Sequence, residues 1–329
     1  MAIEPAISVI RAAQHLLASY FPPTRLIQAP ILASGGSGIY ANAFLKLESD
    51  LPTASFKPRG ALYALATNLK RHRITEVTAS STGNHGAAVA WAAKTLGIRA
   101  TIFLPMNPNP VKRQRIADLG ARIVQSRGQD LAHAFLEAQS YSTRPGIYFL
   151  NDATDPDLPA GPATIGLEIL DQLPTASAIF VPMGDTALIR GVATAIKQLK
   201  PDVRIIGVQA ERAPSYYLSW KAGRPVPTNT CDTVADGLAT RTPEAENVER
   251  IRKLVDEVML VTEDEMLKAI RLLHSRANLI AEPAGAAATA AYLKSSATSR
   301  IVPSTGPAVL LLTGANITDP ILERAGLPI

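Results

Sequence analysis

Short apolar runs alternate with longer stretches of helical period along the chain. The strand-like runs are Ala41–Leu47, Glu76–Ala79, Arg99–Phe103, Arg122–Val124, Ile147–Leu150, Ala178–Pro182, Arg204–Val208, Glu257–Val261 and Ala308–Leu312. Between them, apolar positions recur at helix spacing over Arg59–Leu69, Gly86–Leu96, Val111–Leu119, Leu131–Ser140, Thr164–Leu173, Leu188–Leu199, Glu263–His274 and Ala284–Leu293. This alternation predicts parallel βαβ units with helices on both sheet faces. Val77–Leu150 carries one compact set, and a second begins at Ala178. The pattern predicts an α/β fold of two doubly wound open-sheet lobes, with ligand held between them at the C-terminal ends of strands. Leu218–Ala245 has the weakest periodicity. It reads as a long connection, either a specificity element or lid or a solvated surface excursion.

The 329 residues suit about two domains. With 47% hydrophobic and 19% charged residues, a disordered tail or a coiled coil is excluded. Aromatic residues are only 5%, so the core layers must pack on small side chains. Lys and Arg exceed Asp and Glu by 33 to 28, a net charge of +5 that favours anionic ligands mildly. No basic run interleaved with aromatics points to nucleic acid. The single cysteine, Cys231, excludes a disulfide scaffold and reads as a small buried apolar residue. Glu4 and Arg11 interrupt the N-terminal apolar helical pattern, so it does not read as a signal peptide. No uncharged run reaches the ~18 residues of a membrane span. The expectation is a soluble cytoplasmic protein with a small-molecule partner and neither membrane nor nucleic-acid contacts.

Several chemistries lack their motifs. No Gly-x-Gly-x-x-Gly follows a strand, and there is no Walker loop or Gly-x-Ser-x-Gly elbow. His15, His72, His85, His133 and His274 show no metal-ligand spacing.

Four segments carry chemistry. In Ser55-Phe56-Lys57-Pro58-Arg59-Gly60-Ala61, Pro58 suits a first helical turn and places Lys57 near a helix N-terminus. There the helix dipole and neighbouring Arg59 disfavour the ammonium and favour the neutral amine that attacks carbonyls. A capped surface helix with a solvated lysine is the structural alternative. Thr78-Ala79-Ser80-Ser81-Thr82-Gly83-Asn84-His85-Gly86 runs off a strand into an Ala-rich helix, and its hydroxyls, amide and backbone N–H groups suit an anion. Val181–Leu188 is a third strand-to-helix junction, and Leu312-Thr313-Gly314-Ala315-Asn316 ends the last strand.

In order and spacing, these segments resemble the fold-type II pyridoxal-phosphate enzymes (the tryptophan synthase beta-like fold), in particular the serine/threonine dehydratase family. The match is Ser-Phe-Lys-x-Arg-Gly-Ala, then Ser-x-Gly-Asn-His-Gly, the strand–loop–helix at Gly184, Glu282-Pro283-Ala284-Gly285-Ala286, and Thr-Gly-x-Asn. The resemblance implies pyridoxal 5'-phosphate as cofactor and a homodimer. It also implies a large cofactor-binding lobe of residues 1–76 with 151–329 and a small lobe of 77–150. Lys57 would hold the cofactor as a Schiff base and then act as the base on Cα, with Phe56 packed on the pyridine ring. Asn84 would bond the ring's phenolic oxygen, and Thr313 would face the pyridine nitrogen. Gly184, Asp185, Thr186, Ala187 and Leu188 align with the phosphate cradle, and Glu282 aligns with a glutamate of the active-site shell. Ser81, Thr82 and His85 with nearby N–H groups, and Asn84 beside them, would take the substrate carboxylate. The implied reaction is β-elimination from a β-hydroxy amino acid (threonine, serine, a 3-hydroxyaspartate or an arylserine) to a 2-oxo acid and ammonia. Racemisation or β-replacement on the same scaffold is the alternative, and a non-catalytic cofactor-binding protein is a third reading.

Four places depart from the family. Asp185, Thr186 and Ala187 stand where glycines are usual, and a carboxylate facing a phosphate is repelled. The expectation is that Asp185 turns away to cap the helix from Leu188 while Thr186 adds a donor. Thr82 replaces the serine of racemising members, which favours lyase over racemase. Gly161-Pro162-Ala163-Thr164 replaces Gly-Gln-Gly-Thr in a region expected to line the substrate side. Gln209, Ala213 and Ser215 replace acidic metal ligands, so no metal is expected. Only about a dozen residues follow Asn316, which leaves no room for a regulatory domain and suggests a catabolic or accessory role.

Overall fold

The computed structural model describes residues 4–29, 42–81, 83–106, 108, 110–128, 131–298 and 306–328. Two sheets organise the chain. The larger has the order β1 (Leu26–Gln28), β2 (Ala43–Leu47), β10 (Ala308–Leu312), β7 (Ala178–Pro182), β8 (Arg204–Ala210) and β9 (Glu257–Val261). All its pairings are parallel except β1 with β2. The smaller sheet is fully parallel, in the order β5 (Arg122–Gln125), β4 (Arg99–Leu104), β3 (Glu76–Ser80) and β6 (Ile147–Phe149). Both doubly wound sheets therefore form as the periodicity predicts.

The central strands β7 and β10 are buried at every position. Strands covered on both faces read as continuous apolar runs, which is why both strand ranges agree with those read from the sequence. Strand β1 escaped notice because three residues hold no period and its pairing is antiparallel. Helices α2 (Lys57–Arg71), α3 (Asn84–Leu96), α6 (Ala160–Gln172), α7 (Ala187–Leu199) and α10 (Glu263–Ala277) extend the sequence ranges by one to four residues at one or both ends. The short helices α8 (Ser215–Ala222), α9 (Ala245–Leu254) and α12 (Asp319–Arg324) were not expected.

The family-variant stretch Gly161-Pro162-Ala163-Thr164 corrects an expectation. It forms the first turns of α6 and is buried against α2 rather than lining the substrate side. A Cβ on Gly161 would overlap the Arg59 backbone carbonyl, so the small residue serves close helix approach.

Arg59 binds these elements together. Its side chain is 1% exposed, and its guanidinium reaches Glu48 (Nε to Oε2, 2.7 Å) and Glu168 on α6 (2.6 Å). Lys46 on β2 bonds the same Glu168 at 2.6 Å, and Thr24 donates to Glu48 at 2.7 Å. Burial opposes the charge on Glu168, but Arg59 and Lys46 hold its carboxyl below the usual range. Removing one member of a buried ionic cluster leaves uncompensated charge. Arg59→Met is expected to lose about 3–5 kcal/mol of unfolding free energy in urea titration. A loss under about 1 kcal/mol would show that the cluster does not hold α2 in place.

Candidate active site

The chain from β2 passes through a short 3-10 turn at Glu48–Asp50 to Ala54, whose φ is +52°. The Phe56 N–H donates to the Thr313 carbonyl (3.0 Å), and the Ala315 N–H donates to the Ala54 carbonyl (2.9 Å). These bonds tie the start of α2 to the end of β10, which brings Lys57 and Thr313, 256 positions apart in sequence, to one cavity. Pro58 occupies the first turn of α2, as its ring geometry favours.

Lys57 Nζ lies 2.5 Å from Asp152 Oδ2, in a loop just beyond β6. This corrects the expectation that Arg59 acts on Lys57. The guanidinium of Arg59 is turned away into its glutamate pair, and a carboxylate faces the lysine instead. Burial opposes the charge on Asp152, but His85 and Lys57 hold its carboxyl well below the usual carboxylate range.

Asn84 opens α3 and bonds in two directions. Its amide nitrogen donates to Glu282 (2.7 Å), and its amide oxygen accepts from Asn316 (2.6 Å). Ser81 Oγ accepts from the Gly83 N–H at 3.2 Å. His85 is buried, with Nε2 3.0 Å from the Leu150 carbonyl and Nδ1 3.8 Å from Asp152. Burial pushes its imidazole pKa down. Thr82 lies outside the described residues.

The third junction departs from expectation. Asp185 does not cap α7; it accepts from Thr240 Oγ1 at 3.0 Å, and α7 has no side-chain cap. Thr186 sits at φ +70°, an unusual value for a β-branched residue, and its hydroxyl accepts from Arg190 Nε at 3.1 Å. Arg190, buried in the first turn of α7, also donates to the Ala153 carbonyl at 3.2 Å. Burial, and then the nearby charge of Asp152, push the Asp185 carboxyl up to about 6. A Cβ on Gly184 would overlap the Gly237 carbonyl, so the loop at Asp236–Leu238 closes tightly over this junction. Part of Leu218–Ala245 therefore lines the site, through Asp236, Gly237, Leu238 and Ala239.

One cavity collects Phe56, Lys57, Ser81, Asn84, His85, Gly184 to Leu188, Glu282 and Thr313, the described residues expected from sequence. It adds Asp152, Arg115 and Asn316, which sequence reasoning gave no role. Arg115 donates to the Asn316 carboxamide. Among the described residues no cluster of three His, Cys, Asp or Glu side chains is arranged to hold a metal. Gln209 instead accepts from the Tyr217 N–H at 2.8 Å, and Ser215 donates to the Thr240 carbonyl at 2.5 Å.

The residues present fit pyridoxal phosphate. Both α3 and α7 open on the cavity without side-chain caps, so first-turn N–H groups remain for anions. The Ser80 hydroxyl on the same wall is buried with no partner among the described residues. The same cavity presents a primary amine in Lys57. The family model for pyridoxal-phosphate-dependent enzymes matches residues 18–314. The chain belongs to that family. It is 38% identical over 274 residues to the L-threonine ammonia-lyase of Geobacter sulfurreducens, covering 83% of this chain and 67% of that protein. The processed form of threonine deaminase isoform 2 from Solanum lycopersicum superposes with a TM-score of 0.89 at 28% identity, over 98% of this chain and 88% of that one. Maize serine racemase gives a TM-score of 0.89 at 26% identity, over 98% and 97%. The fold is fold type II, the cofactor is pyridoxal 5'-phosphate, and the enzyme is a lyase that works by β-elimination.

The raised Asp185 carboxyl has a consequence for stability. Its folded-state value of about 6 lies above the unfolded value of about 3.9, so the folded protein binds more protons between these limits. In the cofactor-free protein, stability from this group is full below pH ~4 and falls as pH rises through ~6, by on the order of 2–3 kcal/mol. Asp185→Asn is expected to flatten this pH dependence and to raise the melting temperature at pH 8. An unchanged profile would mean that Asp185 is solvated in the folded state.

Proposed function

We propose that this enzyme removes water from a neutral β-hydroxy amino acid, threonine or serine, and releases a 2-oxo acid and ammonia. The observation that carries the reading is the convergence of Lys57, Asn84, Glu282 and Thr313 on one cavity with two uncapped helix N-termini. Similarity to threonine ammonia-lyases supports the choice of substrate.

The bound cofactor supplies the electron sink that makes a Cα proton removable. Lys57 would hold it through Nζ and, when free, would take that proton at Nζ. Asn84, fixed by Glu282 and Asn316, keeps one orientation toward the ring oxygen. Thr313, at the end of β10, would face the ring nitrogen with a hydroxyl rather than with an acid. Backbone N–H groups at the α7 N-terminus, with Thr186, would hold the phosphate. Ser81, Thr82 and His85 beside the α3 N-terminus take the substrate carboxylate. The cavity offers a second substrate carboxylate no Lys or Arg beyond Lys57 and Arg115, which argues against 3-hydroxyaspartate. The reading carries with it the lobe division at residues 76/77 and 150/151, a homodimer and a cytoplasmic location. No helix among the described residues is long and apolar enough to cross a membrane.

Incubation with L-threonine or L-serine is expected to yield equal amounts of 2-oxo acid and ammonia. The kcat/KM for 3-hydroxyaspartate should be at least ~10-fold lower. Lys57→Ala should lower turnover by ~10³-fold or more. Formation of the substrate's enantiomer without ammonia would replace this reading by racemisation.

A further inference from the structure

Asp152 belongs to none of the motifs by which the site was read, yet it makes the shortest ionic contact to Lys57. We propose that Asp152 is the ammonium-binding residue of the site. It holds Lys57 while that lysine is free, and it holds the α-ammonium of the incoming amino acid while Lys57 carries the cofactor. The proposal rests on reading the cavity as an amino-acid site.

The geometry supports it from three sides. Asp152 Oδ2 is 2.5 Å from Lys57 Nζ, so any nitrogen that takes the place of Nζ arrives within reach of the same oxygen. The two side chains are each about one-fifth exposed, open to the cavity yet mostly removed from bulk water. A carboxylate in such a place is costly without a cation. The second neighbour, His85, helps to hold that charge but does not bond to it. Its Nδ1 is 3.8 Å away, beyond hydrogen-bond distance, and its Nε2 is engaged by the Leu150 carbonyl. The other carboxylate of the cavity, Asp185, is held by Thr240 Oγ1, so it does not duplicate the role.

Once Lys57 is bonded to the cofactor it no longer offers a free ammonium, and Asp152 loses its hydrogen-bonded cation. An amino acid restores it, because at neutral pH its amine enters protonated. When the amino acid takes the place of Lys57, the carbon–nitrogen bond to Nζ breaks as the one to the substrate nitrogen forms. The double-bonded nitrogen keeps one proton, so the incoming ammonium sheds two: one goes to Nζ, which leaves as the neutral amine, and one goes to solvent. Lys57 is then free to take the Cα proton, and Asp152 meets the ammonium that it becomes.

The test compares two ligands on the holoenzyme. L-Alanine carries the ammonium and no leaving group at Cβ, so its binding, read by the change in cofactor absorbance, does not require elimination. Propionate carries the carboxylate alone and is read by competition with alanine. Asp152→Asn is expected to weaken alanine binding at least ~10-fold while leaving propionate within about twofold of wild type. Asp152→Glu, which keeps the charge, should recover part of the alanine affinity and guards against a variant that fails to fold. Equal alanine affinity in wild type and Asp152→Asn would overturn the proposal. A parallel loss of propionate binding would also overturn it, by showing a general collapse of the site. If alanine binds as expected but threonine and serine release no ammonia, the proposed reaction fails and the assignment of Asp152 stands.

Discussion

The buried guanidinium of Arg59 is the constraint on which the rest of the structure depends. A fully desolvated cation is tolerable only where carboxylates meet it with good geometry, and Glu48 and Glu168 both do. Glu48 follows β2, and Glu168 lies on α6. One ionic cluster therefore sets the spacing of the large sheet, α2 and α6. Lys57 is two residues from Arg59, so the requirement that positions Arg59 also sets the first turn of α2 against the end of β10. Close packing at Gly161 allows α2 and α6 to approach near enough for the cluster to form.

A second consequence is electrostatic. The cavity has four acidic side chains, Asp152, Asp185, Asp236 and Glu282, against the charges of Lys57 and Arg115. An anionic cofactor is compatible with that wall because three of these acids are engaged locally. Asp152 faces Lys57, Asp185 is held by Thr240, and Glu282 accepts from Asn84. In the proposed reading the anion sites are backbone N–H groups at helix starts, with Thr186 added at α7 and the buried Arg190 bonded behind it. The loss of three loop glycines is thus accompanied by a new hydroxyl and a guanidinium behind it, not by a carboxylate turned into a helix cap.

Much of this was legible in the sequence. Buried parallel strands announce themselves as apolar runs, and the junction residues Lys57, Asn84, Gly184 and Thr313 follow strand ends where open α/β sheets hold ligands. The parts that stayed hidden are long-range pairings of ordinary-looking residues. Asp152 sits in Asn-Asp-Ala-Thr-Asp-Pro-Asp, a stretch that reads as turn chemistry, and its partner is 95 positions away. Asn316 closed a recognised motif but gained its meaning only when the fold set it against Asn84. Arg59 was credited with acting on Lys57 because the two are neighbours in sequence; its side chain points the other way, toward glutamates that no local pattern reveals. The short strand β1 and the helices near 215–254 lack enough residues, or enough periodicity, to stand out.

The central claim is that Lys57, and no other lysine, carries the cofactor. Borohydride reduction of the holoenzyme followed by peptide mass spectrometry tests it directly, because reduction fixes the cofactor to whichever amine holds it. The account predicts one pyridoxyl phosphate group per chain, on the peptide containing Lys57. Its recovery on a different lysine, or a holoenzyme with no reducible linkage, would contradict the assignment of the site.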